Sequence, residues 1–334
     1  MRTIAEAADV SVQAVSLALR NHPTVGSETR ARIQALARKL GYTPDPQLAK
    51  LMHHLRAGRG KQFTASVGAL TTRPPREEEA FCDLLLDGAR EAARAAGFAL
   101  QVVHVDSDEM AGERLPRMLR QRGVEGVLLL PMAGLEALDA WLDWRDFSVV
   151  SATLSVTSPE FDRVVADHFH NNLGLGQRLR ETGYRRPGLV IHAKHDKRCG
   201  HAITAAHAWL GIYGGGEPVR AHVCERIEPA ALRRWLKEER PDVVLAEHDQ
   251  AARELRATGV LAEALKIVSC SARPEKNGKF SFPGNDDKPR EIGAVAVQKL
   301  AQKIAVGQRG VPANPHTTLV RGAWVGSLPV PRRR

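Results

Sequence analysis

Thirteen histidines and four cysteines (Cys82, Cys199, Cys224, Cys270) are the side chains of this 334-residue sequence best suited to nucleophilic, acid–base or metal chemistry. Their spacing supports none of these. The cysteines are far apart with no CxxC pair, and no HExxH occurs, so neither common zinc pattern is written into the chain. His168 and His170 are spaced for one strand face or adjacent helix turns, and His53-His54 lies in a basic segment better suited to phosphate than to metal. Gly174-Leu175-Gly176 lacks the third glycine of a dinucleotide fingerprint and does not follow a strand. Gly214-Gly215-Gly216 lacks the Lys-Ser/Thr of a phosphate loop, and no GxSxG elbow is present. The sequence is therefore not expected to encode an enzyme, and neither a metal nor a cofactor is expected.

A different chemistry is concentrated at the N-terminus. In VSVQAVSLALRN, residues 10–21, helical spacing turns Val12 and Leu17 outward with Gln13 between them, while Ala14, Val15, Ala18 and Leu19 share the opposite face. This helix, opened by the cap Ser11, is the second of three. The first opens with Thr3-Ile4-Ala5-Glu6, which reads as a capping box with Ile4, Ala5 and Ala8 as its narrow apolar face. The third runs from Gly26-Ser27 to Leu40 with the stripe Ile33, Leu36, Ala37 and Leu40. Two short helices joined by a tight turn, small where they cross, make a helix-turn-helix, whose second helix projects into a major groove of DNA.

Charge agrees with that reading. The net charge is +10, yet residues 1–61 alone carry ten Lys/Arg against four Asp/Glu, leaving +4 for the other 273 residues. An excess confined to the head favours a polyanionic partner for the head. From Pro46, suited to a first helical turn, a short helix is expected through Arg56 before a basic linker to Lys61. So short a helix needs a partner to form.

Residues 4–56 resemble the DNA-binding head of the LacI/GalR family of bacterial transcription regulators. The resemblance is carried by Ile4-Ala5, Ala8, Val10-Ser11, Ala14-Val15-Ser16, Ala18-Leu19, Asn21, Pro23, Val25, Thr29-Arg30, Leu40-Gly41-Tyr42, Pro44 and Leu51. It implies that Val12, Gln13 and Leu17 face bases, that Ser11, Ser16 and Asn21 lie near phosphates, and that Thr29 and Lys50 complete the DNA contacts. It also makes the segment from Pro46 a hinge helix, paired in a dimer, whose Leu51 wedges into the minor groove and kinks the duplex. Three departures are visible. The first helix begins late, so Thr3 is expected to cap a shortened helix. Asp9 stands for the usual turn glycine, which Asp tolerates better than most residues, and Ala49 stands for the usual hinge arginine.

From Gln62 onward, short apolar runs alternate with helical patterns of ten or more residues, which indicates parallel sheets covered on both faces. Strands are expected over 65–70, 99–103, 126–130, 148–151, 187–191, 219–223, 243–245, 265–268 and 317–321. Helices are expected over 79–97, 110–123, 135–144, 168–183, 199–213, 230–239, 249–258 and 289–306. The fold expected is an all-α helix-turn-helix head followed by an α/β effector domain of two doubly wound parallel-sheet lobes, periplasmic-binding-protein-like. The resemblance extends along this body through Arg122–Leu128, Glu181–Leu189 and Ile292-Gly293-Ala294. The boundaries expected are a head at 1–45, a hinge helix and linker at 46–61, and an effector-binding and dimerisation domain at 62–334.

A cleft between two such lobes takes a small molecule on loops at the carboxyl ends of strands. Arg73, Arg198, His248, Asp249 and Ser271 are the candidates, with Asp249 equally suited to capping its helix. Ser271 stands where the family's sugar-binding aspartate is expected, which weakens the case for a sugar effector. The sum is a sequence-specific regulator, a repressor, that binds double-stranded operator DNA as a homodimer under control of a small molecule, a sugar among the candidates. No run approaches the roughly 20 apolar residues of a membrane helix, no basic-then-apolar leader opens the sequence, and isolated cysteines fit a reducing, cytoplasmic setting. The competing class is a solute-binding protein of a transport system, which would need export and has no use for a basic head.

Overall fold

The computed structural model describes residues 2–19, 24–40, 65–72, 79–105, 114–132, 137–139, 141–215, 217–275 and 278–328. The head holds helices α1 (Arg2–Ala8), α2 (Val12–Leu19) and α3 (Ser27–Lys39). Their shared core is Ile4, Ala5, Ala8, Val15, Ala18, Val25, Ile33 and Ala37, all buried, with Leu36 partly buried against it. Small residues on α1 and α2 let α3 pack close to both. Polar side chains of α3 then fix the angles, because Arg32 Nη2 donates to Ala8 O at 3.1 Å and Gln34 Nε2 to Ala18 O at 3.0 Å. These bonds satisfy carbonyls that the ends of short helices leave open. Asp9 turns between α1 and α2 with φ of 50°, the left-handed conformation its side chain tolerates.

Two expectations fail here. Thr3 lies inside α1 rather than ahead of it, so it is not the cap of a capping box. Leu40 follows α3 and is 48% exposed, because the helix ends one residue earlier and no longer carries it inward. The expected hinge helix lies outside the described residues.

Among its described residues the body contains two six-stranded sheets. The first is built from β1 (Ala65–Thr71), β2 (Phe98–His104), β3 (Val124–Leu129), β4 (Ser148–Ser151), β5 (Arg163–Ala166) and β11 (Thr317–Val320). Their order is β11-β5-β4-β3-β1-β2, and the pairs β1–β2, β1–β3, β3–β4 and β4–β5 are parallel. Helices α4 (Glu79–Ala95), α5 (Arg114–Gln121) and a later α11 (Pro289–Val306) accompany it. α4 and α11 cross where Gly88 and Gly293 meet the opposite backbone. A Cβ on Gly88 would stand 1.9 Å from Arg290 O, and one on Gly293 2.0 Å from Leu85 O. Only glycine fits both places.

The second sheet has the order β12-β10-β9-β8-β6-β7. Its strands are β6 (Pro187–His192), β7 (His222–Cys224), β8 (Val243–Ala246), β9 (Lys266–Ala272), β10 (Gly284–Asp286) and β12 (Ala323–Val325). They pair in parallel except β12, which runs antiparallel to β10. Alternation along these strands sends Leu189, Ile191, Val243, Leu245 and Val268 into one buried cluster. Val190, Val244 and Ile267, one residue out of step, enter another with Leu232 and Trp235. A strand apolar on both faces requires helices on both faces. The helices of this half are α6 (His168–Thr182), α7 (Ala193–Arg198), α8 (Ala202–Tyr213), α9 (Pro229–Glu239) and α10 (Asp249–Ala257). Two doubly wound parallel-sheet lobes are thus present as the sequence predicts.

By contact density the chain divides into two units. One takes residues 1–75, 82–164 and 290–318, the other 76–81, 165–289 and 319–334. Four local expectations are corrected. The described residues of 135–144 form no α-helix, and only Trp144 enters a short 3-10 turn, Trp144–Asp146. Leu138, Leu142 and Trp144 are buried there without an α-helix, with Trp144 Nε1 bonded to Leu138 O at 3.1 Å, so their spacing served the core from irregular chain and one 3-10 turn. The helix expected over 199–213 is α8, which begins only after a turn at Cys199–His201, and the short α7 ahead of that turn was not expected. β5 and β10 were not expected at all. The strand expected near 317–321 is β11, and β12 just after it, in the other sheet, was not expected.

Candidate nucleic-acid interface and ligand site

The head presents one face of α2. Ser11 caps the helix by accepting from Ala14 N–H at 3.1 Å, which fixes the helix start and hence the direction of the next two side chains. Ser11, Val12 and Gln13 are exposed, with Val12 at 44%. Ser16 and Leu17, one turn on, are half-buried, and Leu17 packs partly against the head's core. The outward apolar pair expected from sequence is therefore unequal, since Leu17 is shared between the core and the exposed face. Thr29 is half-buried on α3. Asn21, Lys50 and Leu51, and Arg73 from the ligand set, lie outside the described residues.

The second chemically dense region lies at the carboxyl ends of β6, β8 and β9, all within the second unit. β6 and β8 are neighbours in register, Val190 opposite Ala246, so the chain leaving each strand arrives at the same place. His192, His195, Arg198 and Cys199 come from the first exit, Glu247, His248 and Asp249 from the second. Glu247, 1% exposed, accepts from His192 N–H at 2.7 Å and from His192 Nδ1 at 2.8 Å, and lies 3.1 Å from His248 Nε2. Burial raises its pKa, but these imidazoles outweigh burial and hold the carboxyl well below the usual range. Burial in turn lowers the His248 pKa despite Glu247. His248 Nδ1 accepts from Ala251 N–H at 3.1 Å. His248 is thus the cap of α10, a role the sequence had offered to Asp249.

Asp249, freed from capping, accepts Arg273 N–H on Oδ2 at 3.0 Å, while its buried Oδ1 has no hydrogen-bond partner. Ser271, buried on β9, lies 3.4 Å from Arg273 Nη2. Arg198 Nη2 donates to His195 Nδ1 at 2.8 Å, which turns His195 Nε2 toward Cys199 Sγ at 3.5 Å. Asp287, after β10, accepts from Asn171 Nδ2 and Asn285 Nδ2 on Oδ1, and its buried Oδ2 has no hydrogen-bond partner. His168 Nδ1 stands 3.9 Å from that oxygen. Burial alone would raise the Cys199 thiol, but His168 and His195 beside it pull its pKa down. Burial lowers and Cys199 raises His168, with a net rise. Buried carboxylate oxygens left open are uncommon in folded proteins and mark places where a ligand group can be received.

Residues 1–45 match the family described as bacterial regulatory proteins, lacI family, and residues 64–261 match the periplasmic binding proteins and sugar binding domain of that family. The second match covers more than half the chain. This chain belongs to the lacI family. Among curated relatives, the HTH-type transcriptional repressor PurR of Pectobacterium carotovorum is 24% identical over 193 residues, 57% of this chain and 53% of that protein. The chain spans about half the length of the curated relatives it matches. Among solved structures, the transcriptional regulator CelR in complex with cellobiose shares 21% identity over 97% of each chain, with a TM-score of 0.56. The Lac repressor dimer bound to operator and the anti-inducer ONPF shares 18% identity over 97% of this chain and 96% of that one, also with a TM-score of 0.56. At such identities the structures speak for the fold. These relatives are transcription regulators.

Within this lacI-family chain, four of the five ligand candidates are described, and all four fall in the second unit. Sequence reasoning missed His168, His192, His195, Cys199, Glu247 and Asp287. The available signal was His195-x-x-x-Cys199, one helical turn apart directly after a strand. The remaining partners join only through strand order. No helix of the described residues is long and apolar enough to cross a membrane.

Proposed function

We propose that this chain is a transcriptional repressor that binds operator DNA as a homodimer and changes its grip when a small molecule binds the body that follows the head. The observation that carries the reading is the α2 face, capped by Ser11 and presenting exposed Val12 and Gln13, within residues matched to the lacI family's regulatory head. Gln13 is suited to a bidentate pair with adenine, while Val12 and the outer part of Leu17 suit thymine methyl groups. Ser11, Ser16, Asn21, Thr29 and Lys50 supply backbone contacts that set position, and Leu51 serves as the minor-groove wedge. The working division is a head at 1–45, a hinge and linker at 46–61, and an effector-binding and dimerisation body at 62–334, in a cytoplasmic protein.

The effector is received by Arg73, Arg198, His248, Asp249 and Ser271. An open Asp249 oxygen and the neighbouring cations Arg198 and Arg273 suit a small polar ligand with both donors and acceptors. A sugar meets that description, as the cellobiose of the similar CelR complex illustrates. Ligand binding then shifts the population of the DNA-competent form.

Gel-shift titration on DNA upstream of the gene, repeated across salt concentrations, tests the reading. Expected are a dimer-sized complex and an affinity falling steeply with salt, as phosphate contacts require. Absence of binding at low salt by a dimeric sample defeats it. Leu17→Arg is expected to change operator preference, and an unchanged preference would remove this face from base reading.

A further inference from the structure

We infer that the outer face of α8 binds a second copy of this chain, the two α8 helices packing antiparallel across a twofold axis. The inference goes beyond the operator-binding reading and requires nothing of the DNA-binding head.

The sequence of α8, AITAAHAWLGIY, contains no Asp, Glu, Lys or Arg. Its inner face is already occupied by Ile203, Ala206, His207 and Leu210, all buried. Leu210 seats on α6 at Gly176, where a Cβ would stand 2.1 Å from Leu210 Cδ1. His207 Nε2 donates to Pro187 O at 3.1 Å and ties the helix to β6. Anchored in this way, α8 cannot turn its other side inward. That side holds Ala205, Ala208, Trp209, Ile212 and Tyr213 at helical spacing, and all five are exposed. Trp209 is 42% exposed, and Ile212 and Tyr213 are 70% exposed each. A helix apolar all round belongs in an interior, and the described residues leave one side of this one open. The other helices of the second unit turn charge to the surface, Arg178 on α6, Lys194 on α7, Arg233 on α9 and Arg253 on α10.

The shape of the face selects a second copy as its occupant. Its N-terminal half is small, Ala205 and Ala208, and its C-terminal half is bulky, Trp209, Ile212 and Tyr213. A twofold axis between Ala208 and Trp209 sets Trp209 of one copy against Ala208 of the other. At a rise of about 1.5 Å per residue it also sets Ile212 against Ala205, each about 5 Å from the axis. Parallel helices would instead stack bulk on bulk and leave a gap at the alanines. Trp209 and Tyr213 already hold their rings 5.6 Å apart at 45°, so less side-chain freedom is lost on association. The five side chains expose roughly 500 Å² per copy, so a symmetric pair buries about 1,000 Å², the size at which specific interfaces begin. An aromatic centre without charge is the composition such interfaces favour. Pairing of one surface with itself also closes at two copies instead of running on as a fibre.

The test uses the full chain without DNA, in sedimentation velocity over a range of concentrations. Expected is an assembly whose mass is halved by Ile212→Glu, which sets a carboxylate against Ala205 of the other copy, and kept by Ile212→Val. Trp209→Lys provides a second disrupting variant, with circular dichroism confirming the fold of each. Ala208→Cys, beside the axis, should link two copies under mild oxidation, well above the background of the native cysteines in the wild type. A wild type that is monomeric at every concentration overturns the proposal, as does an assembly that both disrupting variants leave intact. Failure of Ala208→Cys to link above background also overturns it and leaves the face to a different protein. Operator binding is measured separately on the wild-type chain, so failure of α8 pairing and failure of the regulator reading give different results.

Discussion

Two sites of buried charge, one in each unit, are built in opposite ways. In the first, Lys303 on α11 reaches Asp162 at 2.6 Å, and both side chains are nearly inaccessible. Asp162 also accepts from His316 N–H at 2.8 Å, so the pair is closed among protein groups. In the second, Asp249 and Asp287 each keep one buried oxygen without a hydrogen-bond partner, amid imidazoles and thiols gathered at strand ends. Closed polar groups hold a fold in one arrangement. Open ones cost stability unless water or a ligand completes them.

The largest effect should come from opening the closed pair. Lys303→Met leaves the Asp162 carboxylate buried without its cation and is expected to cost about 3–5 kcal/mol in denaturant unfolding. Adding Asp162→Leu should recover most of that loss, and no recovery would mean the pair is not a closed unit. The pH dependence has a defined sign. In the native protein burial raises the Asp162 pKa, but Lys303 and His316 N–H outweigh it and the net shift is downward. That stability is fully present above the unfolded carboxylate value near 3.9 and is lost as pH falls through the folded value. In Lys303→Met burial prevails, so the contribution of Asp162 reverses sign and stability falls as pH rises through the raised value. Unfolding series from pH 3 to pH 7 distinguish the two.

A smaller loss is expected where the first unit is closed by packing rather than charge. Gly293→Ala places a methyl group against Leu85 O and should cost about 1–3 kcal/mol as overpacking, read from the same unfolding curves. An unchanged midpoint would show that α4 and α11 separate freely. The smallest stability effect should fall in the second unit. Asp249→Asn keeps an acceptor for Arg273 N–H, and about 1 kcal/mol or less is expected. The same change should nevertheless abolish thermal stabilisation by the effector once a metabolite screen identifies one. A large destabilisation with ligand response intact would place Asp249 among structural residues and erase the contrast.

Helix boundaries were most legible where periodicity ran long, and α11 was bounded at Pro289 and Val306 from the sequence. β10 has the sequence Gly-Asn-Asp, with neither apolar alternation nor β-branched residues. It is a strand only because β9 and β12 flank it. The 135–144 segment failed for the converse reason, since Leu138, Leu142 and Trp144 have helical spacing yet serve a core reached by irregular chain. At the proposed ligand site, family resemblance pointed to Arg198, His248, Asp249 and Ser271. It could not reveal that His248 rather than Asp249 caps α10, because both are competent caps.

What the sequence by itself determined is therefore local or periodic: the basic head, the cap at Ser11, the outward face of α2, and two parallel-sheet lobes read from apolar strands alternating with helices. These follow from contacts a few residues apart and from burial on both strand faces. Only the tertiary structure decided that His195 and Cys199 stand beside Glu247 and His248, and that Lys303 closes on Asp162. The first meeting depends on β8 lying next to β6 while β7 takes the outer edge. The second joins residues 141 positions apart. Strand order and long-range closure are set by the packing of the whole unit, and no window along the chain contains them.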